Sequence, residues 1–413
     1  MFKTRNLIIR LSVFLINLAS IVLYSANLPI SSSSYLGDIS DDEGVYGTRI
    51  KSNGDIVVVA QIGKDTELLK SSANLAEIGD SKIVGAVLVL SPDGKTVKHK
   101  AIVSKQLRDL SLDKNDNIYL AVGDGGLISL SPDASKIRWK ALDGTYVHRV
   151  DIGSDGTVAA IAPTNPKEPD SKSGPGSVTL FNADGQKIAN FAGHTREDRN
   201  TLDICVDGVT KTVVVIGWRQ SADWSDAANK GGPVQIAYMR GLSYDGTEKW
   251  NAYDWSTDGT SAKYLNKPEN NMADTRGLRC CIGDDGKLYA VFMCAGGNHI
   301  FRYSPFDIMK RIELVKGDKF NDFSGSKSEH KTYFGRYNPA TGERELGQQL
   351  TARISLNKTN AMWCDRGDIS ADKDGRVYIV GTSAYGLPIW PNKLLDDTTA
   401  HATFNPFGVG SYI

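Results

Sequence analysis

The sequence predicts an all-β fold built from repeated four-stranded antiparallel units. Two kinds of hairpin alternate along the chain. The first is an apolar strand, an Asx/Gly turn and a β-branched strand, as in RDLSLDKNDNIYLAV from Arg108. The second is a strand, a turn and an amphipathic strand, as in GLISLSPDASKIRWKAL from Gly126. The turn residues supply the positive φ angles that short hairpin loops need, and the alternation beside them places one face inward.

Each kind of hairpin recurs along the chain. Copies of the first kind begin at Thr48, Arg108, His148, Thr201, Leu278 and Gly367. Copies of the second kind begin at Gly85, Gly126, Gly174, Ala237 and Tyr333. Paired in chain order, they give six units, and four-stranded units repeated in this way predict a β-propeller with six blades over residues 44–413, as a single domain. Seven blades is the alternative if residues 301–353 contain another unit, because HIFRYSPFDIMKRIELVKG is itself a strand-turn-strand pattern.

The two chain ends are predicted to complete the repeat together. The sixth unit stops at GVGSYI, which fits its third strand. Residues 27–43 form a flexible lead, and YLGDISDDEGVYG from Tyr35 is a candidate for the missing closing strand.

Residues 1–26 have the pattern of a signal peptide or an N-terminal anchor. Lys3, Arg5 and Arg10 precede an apolar stretch that is short for a membrane span and suitable for a secretory segment. Tyr24 is unfavourable for cleavage after Ala26, so an uncleaved anchor is the alternative. We expect an exported protein that is periplasmic, on the cell surface or secreted, and that meets a membrane only through such an anchor.

Composition excludes one class of partner and leaves the cysteines undecided. The chain has 48 Lys plus Arg and 48 Asp plus Glu, so it lacks the basic excess of a nucleic-acid-binding protein. Five cysteines is an odd number, and their spacing matches no zinc pattern. An exported protein often forms disulfides, but a chain of this length has no need of them. The favoured interpretation is that the cysteines are small, apolar, buried residues. The cysteines are Cys205, Cys280, Cys281, Cys294 and Cys364.

Two stretches resemble known repeat families. GDGGLISLSPDASKIRWKAL is similar to the PQQ-like, quinoprotein-type propeller repeat, and DISADKDGRVYIVGTSAYGLP resembles the bacterial SBBP-type propeller repeat. The resemblance covers most of Thr48–Ile413 and implies an architecture. It implies little about activity, because similar repeats occur in enzymes, assembly scaffolds and surface binders.

The predicted working face carries the long connections between the second and third strands of the units. Inserts on one face of a repeat array commonly mark its binding side. Aromatic residues in these inserts and in the linker after Lys249 suit sugar or peptide surfaces, whereas the alternative is that they pack the loops against the blades. The candidates are Trp218, Trp224, Tyr253, Trp255, Tyr385 and Trp390.

A second set of candidates is a group of arginines near the start of each innermost strand. Gathered at the mouth of a central channel, they would bind carboxylates or sulfates of a ligand. Acidic neighbours support the alternative that adjacent inner strands neutralise one another. The arginines are Arg108, Arg149, Arg199, Arg276 and Arg366.

No catalytic or metal-binding residue is predicted. Cys280 and Cys281 resemble the adjacent-cysteine disulfide of quinoprotein alcohol dehydrogenases, but the chain is short for that fold and no calcium ligands match, so calcium and PQQ are disfavoured as cofactors. DKDG at Asp372 and GDDG at Gly283 fit hairpin turns better than calcium loops. We therefore expect a non-catalytic binding or scaffold module for protein or glycan. The alternatives are an extracytoplasmic enzyme, acting on polysaccharide or dependent on PQQ, and a self-assembling surface protein.

Overall fold

The chain is composed of β-strands wherever its structure is described. The computed structural model describes residues 44–123, 125–220, 235–255, 273–295, 299–312, 330–350, 352–355, 358–364, 368–383, 388–389, 401–402 and 410–412. These residues contain short 3₁₀ turns at Glu67–Leu69 and Ile300–Arg302 and no α-helix. The predicted all-β class is confirmed. No helix in the described ranges is long and apolar enough to traverse a bilayer.

Five antiparallel sheets follow one another along the chain, each with its strands in sequence order. Sheet 1 contains β1 (Gly44–Ile50), β2 (Ile56–Gly63), β4 (Ile83–Leu90) and β5 (Val97–Ser104), with β3 (Ala73–Asn74) parallel to β5 at its edge. Sheet 2 contains β6 (Leu107–Leu112), β7 (Ile118–Val122), β8 (Gly126–Leu130) and β9 (Ile137–Ala141). Sheet 3 contains β10 (Arg149–Ile152), β11 (Val158–Ala162), β12 (Ser177–Phe181) and β13 (Lys187–Ala192). Sheet 4 contains β14 (Arg199–Asp207), β15 (Thr212–Gln220), β16 (Gln235–Ser243) and β17 (Glu248–Ala252). Sheet 5 contains β18 (Thr275–Ile282), β19 (Leu288–Ala295), β22 (His330–Tyr337) and β23 (Arg344–Leu350).

The segment that offered a seventh unit is distributed differently. Its first part forms a two-stranded hairpin of β20 (Tyr303–Ser304) and β21 (Asp307–Arg311), and its second part supplies the third and fourth strands of sheet 5. The described residues of 301–353 therefore form no separate four-stranded sheet. A further hairpin, β24 (Ala352–Ser355) with β25 (Lys358–Asn360), leads to the last unit.

The last unit is described for three strand positions. Its first strand is split into β26 (Met362–Trp363) and β27 (Ile369–Ala371), and its second into β28 (Val377–Ile379) and β29 (Gly381–Ser383). β32 (Gly410–Tyr412) pairs antiparallel with β29, as predicted for a third strand. A small hairpin of β30 (Pro388–Ile389) and β31 (His401–Ala402) lies in the connection between them. Residues 27–43, the predicted source of a closing strand, lie outside the described residues.

Neighbouring sheets meet along their first strands and through apolar side chains. β1, β6, β10, β14, β18 and β27 contact one another in that order. Each pair of adjacent sheets shares a buried apolar cluster, represented by Val59 with Leu110, Tyr119 with Val150, Ile161 with Ile204, Ile216 with Cys280, and Val291 with Ile369. Arg49 on β1 donates from Nη1 to Asp368 Oδ2 at 2.7 Å and thereby joins the first and last units across 319 positions of sequence.

An aromatic ring on one sheet packs against a turn glycine of the next, and this contact recurs. Trp139 of β9 donates from Nε1 to Ala183 O at 2.9 Å, and Trp250 of β17 donates to Pro339 O at 3.0 Å. A Cβ added at Gly185 would lie 2.6 Å from the Trp139 ring, so only glycine leaves room for it. Equivalent contacts join Phe191 to Gly246 and Trp250 to Gly342.

Replacing one of these glycines tests the contact against a turn glycine that has space. Gly185 and Gly156 both have a positive φ, of 82° and 85°, but a Cβ at Gly156 meets nothing closer than 3.8 Å. We expect Gly156→Ala to lower the free energy of unfolding by about 1–2 kcal/mol through backbone strain alone. Gly185→Ala should cost about 1–3 kcal/mol more, because the Trp139 ring must also move. Urea denaturation measures both, and equal losses would show that the ring contact contributes nothing.

The contact between the first and last units is measurable by a double-mutant cycle. Both side chains are partly exposed, at 34% for Arg49 and 47% for Asp368, so solvent screens the pair. We expect Arg49→Gln and Asp368→Asn to show a coupling energy of about 0.5–1 kcal/mol in urea denaturation at low salt. The coupling should shrink at about 1 M NaCl. A coupling of zero at low salt would mean that this pair does not stabilise the contact between the two ends of the array.

Candidate functional site

The first strands carry a series of charges that alternate in sign from sheet to sheet. Asp109, Arg149, Asp203 and Arg279 occupy equivalent strand positions, and Arg49 lies two residues nearer the first turn, so period-two alternation places it on the same face. In order from sheet 1 to the last unit, they are Arg49, Asp109, Arg149, Asp203, Arg279 and Asp368. We call these six residues the charge series.

Each member of the charge series interacts with the members before and after it. Arg149 Nε lies 3.6 Å from Asp203 Oδ1, in addition to the Arg49–Asp368 hydrogen bond. The Asp109 carboxylate lies in the field of Arg49 and Arg149, and Arg279 lies in the field of Asp203 and Asp368. The arginines therefore compensate the carboxylates of the neighbouring strands, including Asp151, which lies beside the series in the field of Arg49. This agrees with the alternative that adjacent inner strands neutralise each other.

The carboxylates also bind backbone of the next sheet. Asp109 Oδ2 accepts from Val150 N at 3.1 Å, and Asp203 Oδ2 accepts from Cys280 N at 2.8 Å. Asp151 Oδ2 accepts from Val206 N at 2.9 Å in the same way. In each case the donor is one strand position beyond the carboxylate, so the sheets are held in a common orientation.

Burial changes the acidity of these groups. It raises the pKa of Asp203 to about 7 and that of Asp151 to about 6, despite the neighbouring arginines and backbone donors. It also raises the pKa of Asp109 and lowers the pKa of Arg279. The field of Asp368 is the main cause that raises the pKa of Arg49. The carboxylates in the middle of the series thus titrate well above the range of an exposed aspartate.

A second cluster lies where the connection between β11 and β12 meets the starts of β6 and β10. Asp170 from that connection accepts from Arg108 Nη2 at 2.7 Å, and its other oxygen lies 3.4 Å from Arg149 Nη2 and 3.6 Å from His148 Nε2. The Arg108 guanidinium lies 5.8 Å from the ring centroids of both Tyr46 and Tyr146. We call Arg108, His148, Arg149 and Asp170 the mouth cluster.

The members of the mouth cluster differ in how far they are exposed to solvent. The side chains of Arg108, His148 and Arg149 are 11%, 1% and 8% exposed, whereas that of Asp170 is 54% exposed. Burial alone would raise the pKa of Asp170, but Arg108 and Arg149 hold it below its usual value. Burial, followed by the field of Arg149, lowers the pKa of His148 well below its usual value, so this ring is neutral at pH 7. Sequence reasoning missed His148 and Asp170, and the only available signal was the position of His148 beside Arg149 in a repeat.

Arg199 belongs to a different, buried network. Its Nε donates to Asp254 Oδ1 at 2.8 Å and its Nη1 to Asp198 Oδ1 at 2.7 Å. His194 Nε2 lies 3.3 Å from Asp254 Oδ2. Burial would raise the pKa of Asp254, but His194 and Arg199 hold it below its usual value. Because the Arg199 side chain is fully buried, it is a structural cation of sheet 4.

The remaining arginines do not join the mouth cluster either. Arg276 lies over the Trp218 ring at 4.9 Å and donates to Gln235 Oε1 at 2.5 Å. Arg366 lies outside the described residues. The predicted arginine group therefore divides into Arg108 with Arg149, which share Asp170, and two separate sites at Arg199 and Arg276.

The expectation that the aromatic candidates are exposed is wrong for the three that are described. Trp218, Tyr253 and Trp255 are 4%, 2% and 7% exposed. Trp218 lies within β15, which extends further than the sequence indicated, and Tyr253 packs edge-on against Phe301 in the core of sheets 4 and 5. These rings therefore fit the alternative interpretation, in which they pack the loops and strands against the sheets. Trp224, Tyr385 and Trp390 lie outside the described residues.

The described residues contain no group of three or more His, Cys, Asp or Glu side chains placed to hold a metal ion. Asp372 Oδ1 accepts from the backbone of Asp374 and Arg376, so DKDG is a hairpin turn. All five cysteines are free thiols. Cys280 packs with sheet 4, and Cys281 packs with the cluster between sheet 5 and the last unit, so the adjacent pair points to opposite faces.

Comparisons with known proteins add little to this geometry. No family model matches the chain. No curated protein matches it either. Among solved structures, the chain is similar to hydrazine synthase of Kuenenia stuttgartiensis, with a TM-score of 0.48 and 8% identity over 85% of this chain and 78% of that one. A likeness at this level carries no argument about function.

The raised pKa of Asp203 gives a stability test. The pKa of this carboxyl is 3.8 in the unfolded chain, as for an exposed aspartate, and about 7 in the folded chain, so the folded state loses stability as pH rises through that window. Asp203→Asn removes this term while keeping an oxygen for Cys280 N. We expect the variant to gain stability relative to wild type as pH rises: the difference in the free energy of unfolding, variant minus wild type, should increase by a few kcal/mol between about pH 4.5 and about pH 8. Urea denaturation at the two pH values measures it; a difference that is constant, or that moves the other way, contradicts the assignment.

Proposed function

We propose that the chain is an exported six-bladed β-propeller that acts as a non-catalytic binding module for protein or glycan. The binding face in this proposal is the one that carries the long connections between second and third strands. No metal or cofactor is part of the proposal. The pattern of residues 1–26 supports export, with the N-terminal segment as the only attachment to a membrane if it is retained.

The propeller proposal is supported by contacts at both ends of the array. The first strands contact one another in sequence order, and Arg49 reaches Asp368 of the last unit. A linear array would leave the charges of its two terminal units without partners, whereas this pair places them together. The hairpin of residues 303–311 and the completion of sheet 5 by β22 and β23 favour six units over seven.

The single observation that carries the binding proposal is the mouth cluster. In each antiparallel sheet, the turn between the first and second strands lies at one end of the strands, and the connection between the second and third strands lies at the other end. The Arg108 and Arg149 side chains meet beside the neutral His148 ring at the end of the sheets that carries these connections, and the half-exposed carboxylate of Asp170 faces all three. Cationic side chains beside solvent-facing loops are suited to an acidic protein or glycan.

The enzymatic alternative has one supporting feature and one against it. A carboxyl with a raised pKa, such as that of Asp203, is the kind of group that serves as a general acid. Asp203 is only 6% exposed, and its Oδ2 is already occupied by the Cys280 amide. Asp203 is therefore better suited to holding sheet 5 against sheet 4 than to acting as a general acid in a polysaccharide-acting or PQQ-dependent enzyme. The self-assembling alternative requires a strand from another chain beside β32.

A test compares charge reversals on the two edges of the sheets. The probe is an array of acidic and neutral glycans together with acidic peptides, incubated with the purified protein. Lys70→Glu with Lys172→Glu changes two exposed lysines of the long connections. Lys95→Glu with Lys114→Glu makes the same change of charge at exposed tight turns. We expect the first pair to weaken binding by about tenfold or more and the second pair to leave it within about twofold.

Equal losses for the two pairs would show that the protein's overall charge, and not the connection face, governs binding. Absence of binding to the whole array would contradict the binding module itself. Turnover of an arrayed polysaccharide would replace the proposal with the enzymatic alternative. Circular dichroism of all variants verifies that the sheets are intact.

A further inference from the structure

We propose that Asp170 is an internal occupant of a carboxylate-binding site formed by Arg108, Arg149 and His148, and that the carboxylate of a uronic acid unit in an acidic saccharide replaces it. The inference rests on the proposed function in using the same face, and it specifies the ligand and the group that competes with it.

The connection that carries Asp170 has a fixed base, and the backbone hydrogen bonds of its tip run within residues 165–172. At the base, Ser173 Oγ donates to Thr201 O at 2.8 Å and Asn165 N donates to Ser173 O at 2.9 Å, which closes a short loop. Gly174 N donates to Asn200 Oδ1 at 3.2 Å. Asp170 lies within this loop and holds it to the arginines. The loop can therefore move away from the mouth cluster while its base stays in place.

The mouth cluster offers more donors than Asp170 uses. Arg108 Nε is buried and has no hydrogen-bond partner within the described part of the chain, whereas Arg149 Nε faces Asp203 and the neutral His148 ring carries a single N–H. Of the three contacts to Asp170, only the one from Arg108 at 2.7 Å is short. Buried donors without acceptors cost free energy. A carboxylate that accepted from Arg108 Nε as well as from Nη2 would remove part of that cost.

The two tyrosines favour a sugar as the carrier of the carboxylate. Tyr46 and Tyr146 flank the Arg108 guanidinium, and Tyr46 is 38% exposed. Aromatic faces cover the C–H surface of a pyranose ring, while the adjacent guanidinium binds its carboxylate. A uronic acid unit presents both groups within one residue of a chain. An acidic amino acid presents the carboxylate on a flexible alkyl stem and has no comparable ring face.

An internal occupant lowers the apparent affinity for an external one. The site is available only in the fraction of molecules in which Asp170 has left it, so removing the Asp170 charge should strengthen binding. Asp170→Asn is nearly isosteric and lies on a half-exposed loop. Asp184→Asn is the matched control, because Asp184 is exposed in the β12–β13 turn at the opposite edge of sheet 3.

The experiment measures glucuronate binding to the purified protein by calorimetry, and its effect on the melting temperature. We expect Asp170→Asn to bind glucuronate at least about tenfold more tightly than wild type and than Asp184→Asn. Glucose should not bind any of the three. Glucuronate should raise the melting temperature of Asp170→Asn more than that of wild type. Arg108→Gln added to Asp170→Asn should abolish the gain in affinity while the protein stays folded by circular dichroism.

Unchanged glucuronate affinity in a folded Asp170→Asn variant would overturn the proposal, as would a gain that persists in the Arg108→Gln double variant. N-acetylglutamate binding as tightly as glucuronate would overturn the assignment to a sugar. These results are independent of the glycan and peptide array. A chain that binds the array through its connections, but shows no glucuronate gain, would retain the proposed function and lose this inference.

Discussion

Compensation of charge along the first strands, buried at Arg149 and Asp203 and half-buried elsewhere, is the constraint on which the rest of the structure depends. The first strands of successive sheets contact one another and bring their charged side chains close together. The charge series resolves this by alternating sign, and each carboxylate in sheets 2 to 4 also accepts from the backbone of the next sheet. Changing one member leaves its neighbours with uncompensated charge, which costs more than the pair itself contributes.

Farther from the axis, the sheets are held by apolar clusters and by the aromatic-to-glycine contact. Trp139, Phe191 and Trp250 occupy fourth strands, and each meets the turn glycine of the following sheet. The same contact therefore acts three times in succession, at the edge opposite the mouth cluster. This division gives the tight-turn edge a structural role and leaves the connection edge free to vary in length. Long connections are tolerated there because loop closure entropy grows only slowly with loop length.

The sequence was sufficient for the features that depend on local chemistry. Asx and glycine turns identified the hairpins, and the alternating pattern identified strands up to β32, including the third strand of the last unit. The sequence was not sufficient to predict which aromatic side chains are exposed to solvent. Trp218 looked like a loop residue, but β15 continues through it and sheet 5 covers it. Nor did it indicate Asp170, because a loop carboxylate in a segment without periodicity acquires its partners only when sheets 2 and 3 come together. The four candidate arginines that the structure describes do lie near strand starts, yet tertiary packing divided them into three separate environments.

The mouth cluster differs from the charge series in one respect that matters for binding. Along the series every cation has a carboxylate fixed on an adjacent strand, so no external ion can replace one without breaking the contact between sheets. At the mouth cluster the acceptor comes from a loop, is half exposed and is shared by three donors at unequal distances. Exchange of that carboxylate for another leaves the first strands and their backbone links unchanged. The acceptors of the charge series are thus fixed on strands, whereas the acceptor at the mouth cluster is a loop carboxylate, which is why the proposed ligand would replace Asp170 and not a member of the series.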